Sequence, residues 1–200
     1  MVNCVLKKLL QKNMTKVKIQ DISIIQFGYY AQANAKGTIK YLQARNFNEF
    51  GQYVGIADTF LEENDKVGVN LLEDGDILFV SKGFRFFASL YKQEFGKAVA
   101  SSIFFVIKPD KERIIPAYLV SVLNMPKSLL HFQQSGAGSS IPSIRKNELA
   151  DFSFPLLPME QQQQIVELQE LYLKDVALTK NLLKQKQQLF QTTINTLITN

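Results

Sequence analysis

Three segments of the chain, 27–45, 81–97 and 133–146, combine basic and amide side chains with aromatic ones. Lys and Arg can neutralise phosphates, while Arg, Gln and Ser can form hydrogen bonds with base edges. The candidate nucleic-acid contacts are Tyr29, Lys36, Lys40, Gln43, Arg45, Lys82, Arg85, Tyr91, Lys92, Gln134, Ser139, Ser140, Arg145 and Lys146. An ordinary solvated surface has a similar composition, so these residues alone leave both interpretations open.

The sequence lacks the usual patterns of a catalytic site. It has no phosphate-binding GxxxxGK[ST] or GxGxxG loop and no GxSxG nucleophile turn. His131 and Cys4 are the only residues of their types, which argues against a His/Cys metal site or a thiol–imidazole pair. The acidic pairs Glu62–Glu63 and Asp74/Asp76 stand in turn-like contexts and are expected to be solvated. We predict no catalytic residue, no metal site and no cofactor bound by this chain.

Composition limits the class of protein only loosely. Lys and Arg outnumber Asp and Glu by 23 to 18, giving a net charge of +5, which suits a polyanionic partner but is common among other proteins. The hydrophobic fraction of 46% indicates a folded chain. No apolar run reaches the ~18 residues of a membrane span. The short apolar stretch at 1–10 does not resemble a secretory signal.

The last part of the chain predicts a long helix that positions whatever precedes it. Residues 159–200 contain neither Gly nor Pro and are rich in Gln, Leu, Lys and Glu. Forty residues of helix would extend ~60 Å, which is longer than the preceding domain is wide. The apolar face predicted to bind a partner helix comprises Ile165, Leu168, Tyr172, Val176, Leu182, Leu183, Leu189, Phe190, Ile194 and Leu197. The alternatives are a helix that folds back on its own domain or a hairpin that breaks near Asp175 or Asn181.

The residues before this helix predict a mixed α/β domain, with domain limits at 1–157 and 158–200. Alternating or buried apolar runs bounded by turn residues predict the strands, and Pro at a first helical turn supports a helix. Strands are predicted at 38–43, 76–81 and 98–107, a strand or short helix at 16–25, and helices at 116–124 and 127–134.

Four pieces of the sequence together resemble the specificity subunit of type I restriction–modification systems. Residues 37–47 (GTIKYLQARNF) resemble that family's strand leading to an Arg/Asn turn, and residues 72–83 (LEDGDILFVSKG) resemble its Gly-Asp-strand-Gly element. Residues 135–149 (SGAGSSIPSIRKNEL) resemble its small-residue loop before a short basic helix. Residues 151–166 (DFSFPLLPMEQQQQIV) resemble the strand with two prolines that opens its conserved helix.

The resemblance implies an α+β target-recognition domain followed by a long helix that pairs antiparallel with another helix. A full-length subunit of that family has two copies of this plan, so the chain resembles a half-subunit that dimerises through its helix. The implied partners are double-stranded DNA, methyltransferase subunits and restriction subunits, in the cytoplasm. S-adenosylmethionine, ATP and Mg²⁺ would bind to those partner subunits. The alternatives are an adaptor that acts through its helix without binding DNA, or a fragment of a DNA methylase or nuclease.

Overall fold

The computed structural model of the chain describes residues 15–32, 34–136 and 140–199. The strands are β1 Lys16–Lys18, β2 Ser23–Phe27, β3 Ile39–Leu42, β4 Phe60–Leu61, β5 Ile77–Val80, β6 Ala88–Leu90, β7 Ala98–Ala100, β8 Phe104–Pro109 and β9 Ser153–Pro155. The α-helices are α1 Asp65–Gly68, α2 Pro116–Leu123, α3 Pro126–Ser135, α4 Lys146–Ala150 and α5 Met159–Thr199. Single 3-10 turns occupy Ile19–Asp21, Ala44–Asn46 and Gln93–Phe95.

A four-stranded antiparallel sheet, in the order β2-β8-β5-β6, lies at the centre of the domain. All four residues of β5 are buried because both faces of this strand are covered. Ile77 and Phe79 belong to the core that the sheet shares with α2 and α3, whereas Leu78 and Val80 face the core shared with a second sheet. The unbroken apolar run of β5 thus packs against two layers, with side chains alternating between them.

The second sheet has the order β4-β3-β7, in which β3 pairs with β7 in parallel and with β4 antiparallel. The prediction of one strand at 98–107 was wrong, because a turn divides it into β7 and β8. The turn is closed by a 3.0 Å hydrogen bond from the Phe104 N–H to the Ser101 carbonyl. Gly28 lies so near this turn that a Cβ there would collide with the Ser101 carbonyl oxygen. The turn passes the chain from one sheet to the other.

Helix α5 is continuous over 41 residues and does not break at Asp175 or Asn181. Its first turns pack against α2, and Gln162 and Val166 are its buried residues. Every residue from 177 to 199 is exposed, so the distal half has little contact with the domain. The predicted combination of a mixed α+β domain and a long C-terminal helix is confirmed, and the hairpin alternative is wrong.

Candidate nucleic-acid interface

Loops from four strands meet at one end of the central sheet, here called the loop end. β2 and β5 finish there, and β6 and β8 begin there, because every neighbouring pair in the sheet is antiparallel. One row of the sheet register at this end consists of Phe27, Phe105, Phe79 and Ala88. The segments that leave the four strands, residues 28–31, 81–87 and 101–103, therefore converge although they are distant in sequence.

The connection between β5 and β6 forms a hairpin loop, residues 81–87, that is joined to the segment before α4. The Gly83 N–H donates to the carbonyl of Pro142 at 2.9 Å, and the Ile144 N–H donates to the carbonyl of Ser81 at 2.7 Å. Gly83 has a φ of 128°, which side-chain-bearing residues rarely adopt. Backbone hydrogen bonds thus hold two polar loops together as one surface.

Four predicted contact residues lie on these joined loops. Lys82, Ser140 and Arg145 are exposed, and Lys82 forms an isolated backbone bridge with residue 143. Lys146 is half-buried, and its Nζ lies 5.6 Å from the ring centroid of Phe27. The structure therefore brings cations from 82 and from 145–146 to the same end of the sheet.

Exposed aromatic side chains surround these cations. Phe27 is 66% exposed, Tyr30 85% and Phe84 80%. Phe84 lies in the hairpin loop, Phe27 is the last residue of β2, and Tyr30 follows that strand. The sequence clusters included all three residues, but their types alone gave no sign of their exposure, because most Phe residues of the domain are in its core. Exposed rings stack on bases that are unpaired or extruded, while neighbouring cations contact phosphates.

Arg85 is exposed but supports the hairpin loop through contacts with the backbone of residues 44–48. Its guanidinium donates to the carbonyls of Asn48 and Phe47 at 3.2 Å and of Ala44 at 3.4 Å. The guanidinium carbon also lies 4.6 Å from the ring centroid of Phe87. These interactions occupy the donors that a bidentate base contact would need, so the structure favours a supporting role for this predicted contact residue.

Arg45 and Lys40 likewise have partners within the chain. The Arg45 guanidinium forms an ion pair with Asp58 at 3.0 Å, and this hydrogen-bonded cation lowers the pKa of the Asp58 carboxyl. Lys40 Nζ donates to the Phe95 carbonyl at 2.6 Å and lies 5.8 Å from the Tyr53 ring centroid. These pairings use only part of the donors of each cation, so the remaining donors stay available for a phosphate.

Tyr29 and Gln43 occupy half-buried positions near the loop end. The carbonyl of Tyr29 accepts a 2.8 Å hydrogen bond from the Tyr41 hydroxyl, and Tyr29 forms a parallel bridge with Ser101. Gln43 precedes the 3-10 turn Ala44–Asn46, and its N–H donates to Asn46 Oδ1 at 2.7 Å. These two residues line the end of the second sheet next to the loop end.

Tyr91 and Lys92 lie at the opposite end of the central sheet. Tyr91 is only 3% exposed, and its hydroxyl donates to the Gly96 carbonyl at 2.7 Å, so it is a core residue and not the surface contact that the sequence predicted. Lys92 is exposed beside Glu94 at 3.8 Å. The loop end does not include either residue.

Three other predicted residues are dispersed. Lys36 is exposed in the segment that leads to β3, and Gln134 is exposed near the end of α3. Ser139 lies outside the described residues, as does Cys4. The predicted set therefore divides into a group at the loop end and residues elsewhere on the domain.

Carboxylates at the opposite end of the sheet form no recognisable catalytic centre in the described ranges. Asp76 Oδ2 accepts hydrogen bonds from the Glu73 N–H at 2.9 Å and from Lys108 Nζ at 3.1 Å. Burial raises the pKa of the Asp76 carboxyl despite these partners. Asp76 is therefore a buried structural carboxylate, contrary to the solvated position expected from its sequence. No group of three potential metal ligands occurs among residues 15–32, 34–136 and 140–199.

The predicted partner face of α5 is largely uncovered. Leu182 is 52% exposed, Leu189 69% and Phe190 67%. Leu168, Tyr172, Leu183, Ile194 and Leu197 are also exposed, whereas Ile165 and Val176 are half-buried. No helix in the described part of the chain is long and apolar enough to cross a membrane.

A family model described as Type I restriction modification DNA specificity domain matches residues 11–188. No curated protein matches the chain by sequence. Solved structures match the chain in fold, at low sequence identity.

Three such structures illustrate this fold. A chain from a study of complex assembly and conformational transition of the type I R-M system is 14% identical with a TM-score of 0.62, over 90% of this chain and 46% of that one. The HsdS subunit from Thermoanaerobacter tengcongensis is 17% identical with a TM-score of 0.64, over 86% and 44%. The S subunit of a type I system from M. genitalium is 12% identical with a TM-score of 0.57, over 82% and 41%. The chain thus spans less than half the length of each.

Proposed function

This chain belongs to the type I restriction modification DNA specificity domain family, and from this membership we propose that it recognises one half of a bipartite site in double-stranded DNA. The observation that carries the proposal is the loop end, where Lys82, Arg145 and Lys146 lie among exposed aromatic rings. Cations there would position the protein on phosphates, and side chains of the same loops would read base edges.

The proposed working unit is a homodimer that resembles one full-length specificity subunit. Two observations support it: the chain spans less than half the length of the similar structures, and α5 exposes a long apolar face. Antiparallel pairing of two α5 helices would cover that face and relate two recognition domains by a two-fold axis. Such a dimer would read an inverted repeat with a fixed spacer.

The role that we propose for the chain is that of a non-catalytic subunit that directs other subunits to DNA. Methyltransferase and restriction subunits would bring the chemistry, together with S-adenosylmethionine, ATP and Mg²⁺, and the complex would act in the cytoplasm. The family is one of specificity domains, which supports this division of labour. An extruded adenine would be methylated by the partner subunit.

Selection from a pool of random DNA duplexes tests the proposal. The protein would be assayed alone and with methyltransferase subunits, and binding would be followed over a salt titration. We expect enrichment of an inverted repeat split by a constant spacer. Failure to enrich any sequence, even with the partner subunits present, would exclude site-specific recognition. Methylation or cleavage by the chain alone would show that it is an enzyme.

A further inference from the structure

Side chains of the long helix form hydrogen bonds with the recognition domain at two widely separated points. Near its start, Gln162 is fully buried and bonded to backbone groups of the domain. The second point is Lys180, whose ammonium forms an ion pair with Glu49 and lies 4.8 Å from the ring centroid of Phe50. Among the described residues, these are the two helix residues with side-chain hydrogen bonds to the domain. Eighteen residues of helix place them ~27 Å apart.

The loop that receives Lys180 is strongly constrained. Asn48 Oδ1 accepts hydrogen bonds from the N–H groups of Phe50 and Gln52, each at 2.9 Å. Gly51 has a φ of 73° and is buried so close to Ala88 that an added Cβ would lie 2.6 Å from its carbonyl oxygen. The loop of residues 48–52 is therefore a fixed platform packed on β6.

The loop of residues 48–52 is also joined to the loop end of the central sheet. Arg85, in the hairpin between β5 and β6, donates to the carbonyls of Phe47 and Asn48 at 3.2 Å. Asn48 thus connects Arg85 on one side with the turn that carries Glu49 on the other. A short series of contacts runs from Lys180 of the helix to the hairpin that contains Lys82.

We infer that the Glu49–Lys180 pair, seated on Phe50, is a positioning contact that sets the angle of the recognition domain on its helix. This inference rests on the proposed dimer of half-site readers, in which that angle determines the spacer that the dimer accepts. Because both side chains are 58% exposed, the pair adds little to folding stability. Its location ~27 Å from Gln162, beyond the buried Val166 and the half-buried Val176, gives it leverage over the orientation of the helix.

Distances between spin labels measure this orientation without DNA. A nitroxide pair at Ser102→Cys and Gln187→Cys, both exposed, would be placed in a Cys4→Ser background. The labelled chain would be diluted with unlabelled chain, so that distances within one protomer dominate. The variants are Lys180→Ala, Glu49→Gln and the charge-reversed pair Glu49→Lys with Lys180→Glu. Lys184→Ala is the matched control, because Lys184 is exposed one turn further along and forms no ion pair with any residue that the structure describes.

We expect a narrow distance distribution for the parent and for Lys184→Ala. Lys180→Ala and Glu49→Gln should broaden it at least twofold with an unchanged melting temperature, and the charge-reversed pair should narrow it again. An unchanged distribution in Lys180→Ala would overturn the inference, as would a charge-reversed pair that stays broad.

Spacer selectivity provides the second readout and separates the two proposals. Duplexes with the selected half-sites and spacers varied one base pair at a time would be compared. Lys180→Ala should accept neighbouring spacers that the parent rejects, with the half-site sequences unchanged; an unaltered spacer preference would overturn the link to spacing. If no duplex is selected but the distances respond as expected, the positioning contact stands and the DNA-recognition proposal fails.

Discussion

The amide oxygen of Gln162 accepts a 2.8 Å hydrogen bond from the backbone N–H of Ile115, the residue immediately before helix α2. Its Nε2 donates to the carbonyls of Leu157 at 2.8 Å and Arg113 at 3.4 Å. One buried side chain thus satisfies backbone groups of two segments and fixes where α5 leaves the domain. An amide suits this position because it can donate and accept at once.

Gln162→Ala is expected to lower the free energy of unfolding by ~1–3 kcal/mol, because it leaves the N–H of the half-buried Ile115 and two carbonyls without this partner. Gln161→Ala is the matched control, since the neighbouring side chain is exposed. That control should stay within ~0.5 kcal/mol of the parent. Urea denaturation followed by circular dichroism measures both. Equal stability of the two variants would contradict the anchoring role of Gln162.

Local patterns predicted several elements correctly. The alternation at 38–43 and the apolar run at 76–81 correspond to β3 and β5, and the absence of Gly and Pro after 158 corresponds to α5. These features depend on periodicity and on helix breakers, which are local properties. The sequence does not encode locally which sheet a buried residue joins. For that reason residues 98–107 were predicted as one strand, although their halves pair with β3 and with β2 and β5.

The candidate site was less accessible to sequence reasoning. Tyr91 stands among polar residues, but its burial follows from a long-range fold that places its hydroxyl against Gly96. Arg85 has the residue type of a base-contacting side chain, but its carbonyl partners lie about forty positions earlier in the chain. Such partners are created by tertiary packing, which one sequence does not reveal.

Lys82→Ala should weaken binding of the protein to DNA and reduce the salt dependence of log K by about one ion, as expected for the loss of one phosphate contact. Lys111→Ala is the control, because Lys111 lies at the opposite end of the sheet and donates to the Asp74 carbonyl. Fluorescence anisotropy at several salt concentrations measures both slopes. If the slope of log K against log salt falls more for Lys111→Ala than for Lys82→Ala, the DNA surface lies at the opposite end of the sheet and not at the loop end.

The raised pKa of Asp76 predicts that the free energy of unfolding depends on pH, and the variant Asp76→Asn isolates this effect. Burial raises the pKa of its carboxyl above the usual 3.8, so the folded state binds a proton more readily than the unfolded state does. Ionisation therefore costs folding free energy above the folded pKa, and this cost disappears as the pH falls through that value. Relative to Asp76→Asn, the parent should gain stability as the pH falls from neutrality through the folded pKa of Asp76 towards 3.8.

Urea denaturation of both proteins between pH 7 and pH 4 provides the comparison. Lys108 stays charged throughout this range, so its own titration does not contribute to the change in the difference. A difference that is constant with pH, or that favours Asp76→Asn more strongly in acid, would contradict the raised pKa.

The apolar face of α5 predicts how the proposed homodimer can be separated. Leu182→Asp combined with Leu189→Asp places two charges on that face, where antiparallel pairing would bury them at a high cost in free energy. Sedimentation velocity should then show a monomer whose domain melts like that of the parent. Gln188→Asp with Gln191→Asp is the control, because these exposed residues lie outside the apolar face and the variant makes a similar change in charge and helix propensity. If the leucine variant sediments as a dimer, the protomers associate through another surface. If both variants dissociate, a weakened helix and not the loss of an apolar contact separates the protomers.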